Sequence, residues 1–157
     1  MPPVLIIEPD TLDLDNIVFD IEAIRRQNPQ RYEMEQLSAI VHFDPDAGTI
    51  AGYKDVTDGE FWVRGHIPGR PLMPGVIMIE AAAQLSSFYF KQLNPQTGFV
   101  GFGGVTDVKF RGQVPPGSRL LIVGQCTEMR RRRAIFNTQG FVDGKMVFEA
   151  VIVGMPI

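Results

Sequence analysis

Residues 76–92 of this 157-residue chain read VIMIEAAAQLSSFYFKQ. Alanine, leucine, isoleucine, methionine and glutamine dominate, and most of these favour helix. Pro74 and Gly75 stand at the entry, where a missing N–H and a free backbone do little harm. From Val76 to Leu85 the sequence is apolar on nearly every side of such a helix. A helix apolar all round is expected to be buried all round, so the remaining chain has to wrap it. One carboxylate, Glu80, falls between Ile79 and Ala81 with no basic residue nearby in sequence. Burying it costs several kcal/mol unless it is paired or protonated, by the order-of-magnitude rule for charges out of water.

The wrapping material is strands. "LSAIVHF" (37–43) and "TIAGYKDV" (49–56) flank the turn signal "DPDAG" and predict a hairpin. "EFWVRG" (60–65) reads as a shorter extended piece. Strands are also expected over 98–112, 120–129, 134–142 and 146–155, with "DGK" a strong hairpin signal before the last. The first 15 residues form an extended, partly acidic arm. "NIVFDIEAIRR" (16–26) then predicts a short helix with Asn16 as N-cap, ended by "NPQ" at 28–30. One buried helix and a long antiparallel meander make an α+β arrangement in which the sheet covers the helix. No repeat or low-complexity linker interrupts the chain, so one domain is expected over residues 1–157.

Composition excludes some classes of function. The formal net charge of −3 gives no global field directed at nucleic acid or an anionic membrane. No stretch offers the roughly 20 apolar residues that span a bilayer. Val4–Ile7 is too short for a signal peptide, so a cytoplasmic protein is expected. The single cysteine, Cys126, allows no internal disulfide and no cysteine-rich metal site, and it reads as a small core residue.

His66 is the natural partner for Glu80. The other histidine, His42, lies in a strand-like run and reads as a satisfied residue. After His66, prolines recur at 68, 71 and 74, with Gly69 and Gly75 among them. Fixed φ at proline and free φ at glycine suit a rigid path that presents the imidazole towards the helix start. The first N–H groups of that helix, at Gly75 and Val76, have no partner within it and could bind a carbonyl oxygen. A base, an acid and an oxyanion donor suit proton abstraction beside a carbonyl followed by loss of a β leaving group. The competing structural reading puts Glu80 against a gap, a dimer seam or an arginine from elsewhere.

These residues resemble a known family. "GHIPGRPLMPGVIMIEAAAQ" is similar to the signature of FabZ-type 3-hydroxyacyl-[acyl carrier protein] dehydratases, which have the hotdog fold. That pattern has a histidine in "GHFPG", a "P-x-x-P-G" helix entry and a glutamate in "IEAMAQ". The spacing of 14 from His66 to Glu80 also matches. A related dehydratase/isomerase branch carries aspartate at the acid position, so Glu80 favours the FabZ type. "VKFRGQVPPGSRLLI" and "VDGKMVFEAVIV" resemble its later strands, and the likeness runs over roughly 17–155. Departures occur where "NPQRYEMEQLSAI" (28–40) replaces "LPHRYPFLLVDRV", and where Ile67 replaces phenylalanine beside the histidine.

The resemblance implies that His66 takes the α-proton of a (3R)-hydroxyacyl thioester and Glu80 protonates the departing β-hydroxyl. Desolvation of Glu80 would favour its proton-donating form. The Gly75 N–H, with Val76 beside it, would polarise the thioester carbonyl. The resemblance implies no metal and no redox cofactor. It also implies a homodimer with shared active sites, three such dimers making a hexamer, and acyl carrier protein as the partner bearing the substrate. Lys109, Arg111 and the run Arg130, Arg131, Arg132 and Arg133 are candidate contacts for that acidic carrier, against the plainer reading of a solvated hairpin turn. Phe61, Trp62, Phe88, Tyr89 and Phe90 are candidate tunnel or core residues. "GFGG" (101–104) lacks the spacing of a dinucleotide fingerprint and reads as close strand packing. A hotdog thioesterase and a non-catalytic acyl-thioester binder are the alternatives.

Overall fold

A computed structural model describes residues 2–157. Its elements in chain order are α1 (Ile21–Gln27), β1 (Ala39–Asp44), β2 (Thr49–Asp55), α2 (Gly75–Leu93), β3 (Val100–Phe110), β4 (Arg119–Arg130), β5 (Arg133–Val142) and β6 (Lys145–Pro156). The strands form one antiparallel sheet in the order β1-β2-β4-β5-β6-β3, and α2 packs on its inner face. The architecture is the expected α+β one. Asp143 and Gly144, both at positive φ (51° and 78°), make the two-residue turn between β5 and β6. That is the turn whose twist matches a hairpin.

Strand alternation sorts the core into two layers. Ile40, Ile50, Leu120 and Ile122 point inward with Met78, Ala81, Leu85 and Phe88 of α2. Their neighbours Val41, Ala51, Leu121 and Val123 point outward and are also buried. The N-terminal arm lies over this outer layer through Ile6, Ile7, Leu12 and Leu14. The Gln139 side chain clips the arm down, accepting from the Ile6 N–H (2.9 Å) and donating to the Val4 carbonyl (2.8 Å). Two covered faces explain why β4 opens on the unbroken apolar run LLIV rather than an alternating one. In "GFGG", a Cβ on Gly103 would stand 2.5 Å from Met155, which is the close packing that the glycines suggest.

Three expectations need correction. The helix near residue 20 starts at Ile21, capped by Asp20, whose side chain accepts from the Ala23 N–H (2.9 Å), and not by Asn16. The Val18 and Phe19 N–H groups instead donate to the Ile40 carbonyl, which holds the chain extended against β1 up to that point. Residues 60–65 are turns rather than an extended piece. Glu60 folds back to accept from the Thr57 N–H, and His66 N–H donates to the Trp62 carbonyl. Finally, α2 is not enclosed on every side within one chain. Val76 is 69% exposed, and Glu80, Ala83 and Ser87 on the same face are half-buried. Among the described residues no helix is long and apolar enough to cross a membrane.

An ion pair ties α1 to the segment before β1. Arg25 donates to both carboxylate oxygens of Glu35, at 2.7 and 3.0 Å. That bonding holds the Glu35 carboxyl below the usual carboxylate range. A depressed carboxyl stabilises the fold above its unfolded pKa of about 4.3 and loses that contribution as pH falls through the folded value. Wild type is therefore expected to be more stable than Glu35→Gln at pH 7, with the gap closing in denaturant titrations below about pH 4. The cap makes a second prediction. Asp20→Ala should lower unfolding free energy by about 1 kcal/mol, and Asn16→Ala should change it by less than about 0.5 kcal/mol.

Candidate active site

The proline-rich stretch does hold His66 in one pose. The His66 Nδ1 lies 2.9 Å from the Leu72 carbonyl oxygen, which can only accept. Nδ1 therefore carries the proton, and in the neutral ring Nε2 keeps its lone pair. Both sides of the loop are fastened. Trp62, 4% exposed, anchors the approach, and the Met73 N–H donates to the Val114 carbonyl (2.8 Å) on the exit. Gly69 takes φ +82°, and Ile67 sits at φ 57°. A β-branched residue in the left-handed region is strained, and such strain clusters at functional sites. The imidazole itself is exposed.

At the head of α2, the Pro74 carbonyl accepts from the Ile77 and Met78 N–H groups (2.9 and 3.2 Å). The N–H groups of Gly75 and Val76 have no hydrogen-bond partner among the described residues. Gly75 is also needed sterically, since a Cβ there would stand 2.6 Å from the Phe110 ring. His66, Gly75, Val76 and Phe110 line one cleft.

Glu80 lies one helical turn further along and opens into another cleft, with Gln30, Gln84, Ser87, Phe90 and Phe102. It is half-buried, and no cation reaches it among the described residues. The arginine of the structural reading is absent there. The partner is Gln84, whose Nε2 donates to Glu80 Oε1 at 2.8 Å. Gln84 is in turn fully used. Its Nε2 also donates to the Met34 carbonyl (2.7 Å), and its Oε1 accepts from the Gln36 N–H (3.0 Å). The Gln84 carbonyl accepts from buried Asn28 (3.0 Å). Gln84 was not singled out from sequence. Its position four residues after Glu80, on the same helix face, is the signal that could have found it.

The two clefts share no residue. One chain therefore brings His66 together with Gly75 and Val76, but places Glu80 in a separate recess. Of the aromatic candidates only Phe90 lines the Glu80 cleft. Phe88 and Tyr89 stack in the core with Phe19, Phe43 and Phe136, Trp62 is buried and Phe61 is exposed. His42 bonds to Thr49 Oγ1 (2.8 Å) on the neighbouring strand. Cys126 is half-buried, and burial pushes its thiol up. The arginine run forms the β4–β5 turn, where Arg130 and Arg133 both pair with Glu128. Arg111 pairs with Glu149 (3.0 Å), whereas Lys109, Arg131 and Arg132 make no ion pair among the described residues.

Known proteins resemble this chain in both sequence and fold. The family model for the FabA-like domain matches residues 28–151. A 3-hydroxyacyl-[acyl-carrier-protein] dehydratase FabZ of Clostridium botulinum is 34% identical over 132 residues, covering 83% of this chain and 91% of that protein. The FabZ of Listeria monocytogenes is 33% identical over 136 residues, covering 86% and 94%. The bifunctional LpxC/FabZ enzyme of Chlorobaculum tepidum is 38% identical over 136 residues, which is 85% of this chain but only 29% of that longer protein. Among solved structures, the dehydratase heterocomplex ApeI:P of Xenorhabdus doucetiae superposes with a TM-score of 0.73 at 14% identity, covering 85% of this chain and 90% of the other. The PaaI protein of E. coli does so at 0.58 and 14%, covering 74% and 80%. These structural likenesses show the hotdog fold, and the sequence matches show the family: the chain belongs to the FabA-like family, among the FabZ-type 3-hydroxyacyl-[acyl-carrier-protein] dehydratases.

Proposed function

We propose that this protein dehydrates a (3R)-3-hydroxyacyl-[acyl carrier protein] to the trans-2-enoyl thioester in fatty acid biosynthesis. The observation that carries the reading is the bond from His66 Nδ1 to the Leu72 carbonyl, which leaves Nε2 as a proton acceptor. That nitrogen removes the α-proton. The electron pair moves onto the thioester oxygen, where the free N–H of Gly75, with Val76 beside it, stabilises the charge. Return of that pair forms the α,β double bond and breaks the β C–O bond, with Glu80 giving its proton to the departing hydroxyl. Water leaves, and the proton on His66 passes back to Glu80 through solvent.

Two copies complete the site in this reading. Each chain has a His66 cleft without an acid and a Glu80 cleft without a base. Strand β3 is a long sheet edge carrying the exposed apolar residues Phe102, Val105 and Phe110. An exposed apolar edge is a template for a second chain. Pairing there would cover the open face of α2 and bring the clefts of opposite chains together. The acyl tail runs past Glu80 towards Phe90, Phe136 and Ile152 at the apolar end of the cleft. Of the candidate carrier contacts, Lys109, Arg131 and Arg132 make no ion pair among the described residues and are offered to the acidic carrier.

The test is the reverse reaction, followed by enoyl-thioester absorbance with crotonoyl-[acyl carrier protein] and a thiol reagent present. Absorbance should fall without thiol release. His66→Ala and Glu80→Gln should each lower kcat by about 10²–10⁴-fold, the usual worth of a positioned acid or base. Thiol release would instead identify a thioesterase. Intact absorbance with several acyl lengths would leave a binding protein.

A further inference from the structure

Glu80 stands at one end of a groove that follows α2 towards its C-terminus. On the helix side the wall is Ala83 and Ser87, on the same face as Glu80. On the sheet side Ala134 and Gly154, paired across β5 and β6, form the opposite wall. Protein interiors are packed as densely as organic crystals, so a gap between a helix and its sheet needs a cause. The cause here is small side chains on both walls. At the far end the groove meets large ones. Phe90, Phe136 and Ile152 line it there, and each is 3% exposed or less. Phe136 stacks on Tyr89, with ring centroids 5.5 Å apart, and pairs with Ile152 across the strands. Both residues therefore sit beside the last turns of α2. The groove is open at Glu80 and closed by packed rings at Phe90.

We infer that this groove is a ruler for the acyl chain with an upper limit of about 12 carbons, an inference that rests on the dehydratase reading and deepens it. In that reading the third carbon sits at Glu80, so every later carbon lies beyond it in the groove. Phe90 follows Glu80 by ten residues, about 15 Å along the helix axis. Contact with its ring stops the last carbon about 4 Å short. An extended chain advances about 1.2 Å per bond, so the remaining ~11 Å takes about nine carbons beyond the third. Up to that limit each added CH₂ exchanges water for the groove. That should raise kcat/KM by up to about fourfold, the worth of one buried methylene. A longer chain has to displace a packed ring, and kcat/KM should then fall about tenfold.

Positions along α2 make the limit adjustable. Ser87 lies about 10 Å from Glu80 along the axis, and Ala83 about 4.5 Å. Ser87→Phe should lower the limit to about 8 carbons, and Ala83→Leu to about 4. The test uses (3R)-3-hydroxyacyl-[acyl carrier protein] substrates of about 4 to 16 carbons, a range that brackets these limits. Each kcat/KM is divided by the value for the shortest substrate with the same protein, which cancels any general loss of activity or of folded protein. The profile should peak near 12 carbons in wild type, with limits falling in the order wild type, Ser87→Phe, Ala83→Leu. Undiminished turnover of the longest substrate by wild type, or one profile shared by all three proteins, would overturn the ruler. No turnover of any length by wild type would instead overturn the dehydratase reading itself.

Discussion

Gln84 is the constraint on which the site depends. It is buried in α2, and each polar atom of its amide is committed. Two of those bonds go to the backbone of Met34 and Gln36, so the segment before β1 is held to the helix by a side chain. The remaining N–H points at Glu80. A half-buried carboxylate with no ion-pair partner among the described residues keeps its place because a fully satisfied amide holds one of its oxygens. The Arg25–Glu35 pair and the Arg31 bonds tighten the same segment from outside. Residues 25–36 are therefore the wall that holds the Glu80 carboxylate in place.

The sheet makes the second half of the arrangement. It closes around α2 from β1 through β6 and stops at β3, which leaves the Val76–Glu80–Ala83–Ser87 stripe open. The same helix presents its free N–H groups at Gly75 and Val76 to the other cleft. In the proposed reaction one apolar helix serves as core, as oxyanion donor and as carrier of the acid, with a turn of helix between the last two functions. The N-terminal arm covers the outer face of β1, β2 and β4.

Much of this was legible in the sequence, and the exceptions have physical causes. The all-round apolar run located α2, and the turn signals located the hairpins, because both depend on local pattern. His66, Gly75 and Val76 stood out because proline and glycine fix a path that few other residues allow. The start of α1 was misplaced because a backbone bond from Val18 and Phe19 to Ile40, distant in sequence, overrides a good local cap at Asn16. Residues 60–65 looked extended because apolar alternation cannot show Glu60 folding back on Thr57. Gln84 went unassigned because an amide declares its use only when its partners are known. Full enclosure of α2 was expected from one chain, whereas one chain leaves a face uncovered.

In the proposed dehydratase His66 and Glu80 act together across two copies of the chain. Mixing His66→Ala with Glu80→Gln after joint unfolding and refolding tests it most directly. Half of the randomly formed dimers would contain one intact site out of two, so activity should return to about a quarter of wild type. Failure of the mixture to exceed either variant alone, with dimers formed, would place both groups in a single chain and contradict the account.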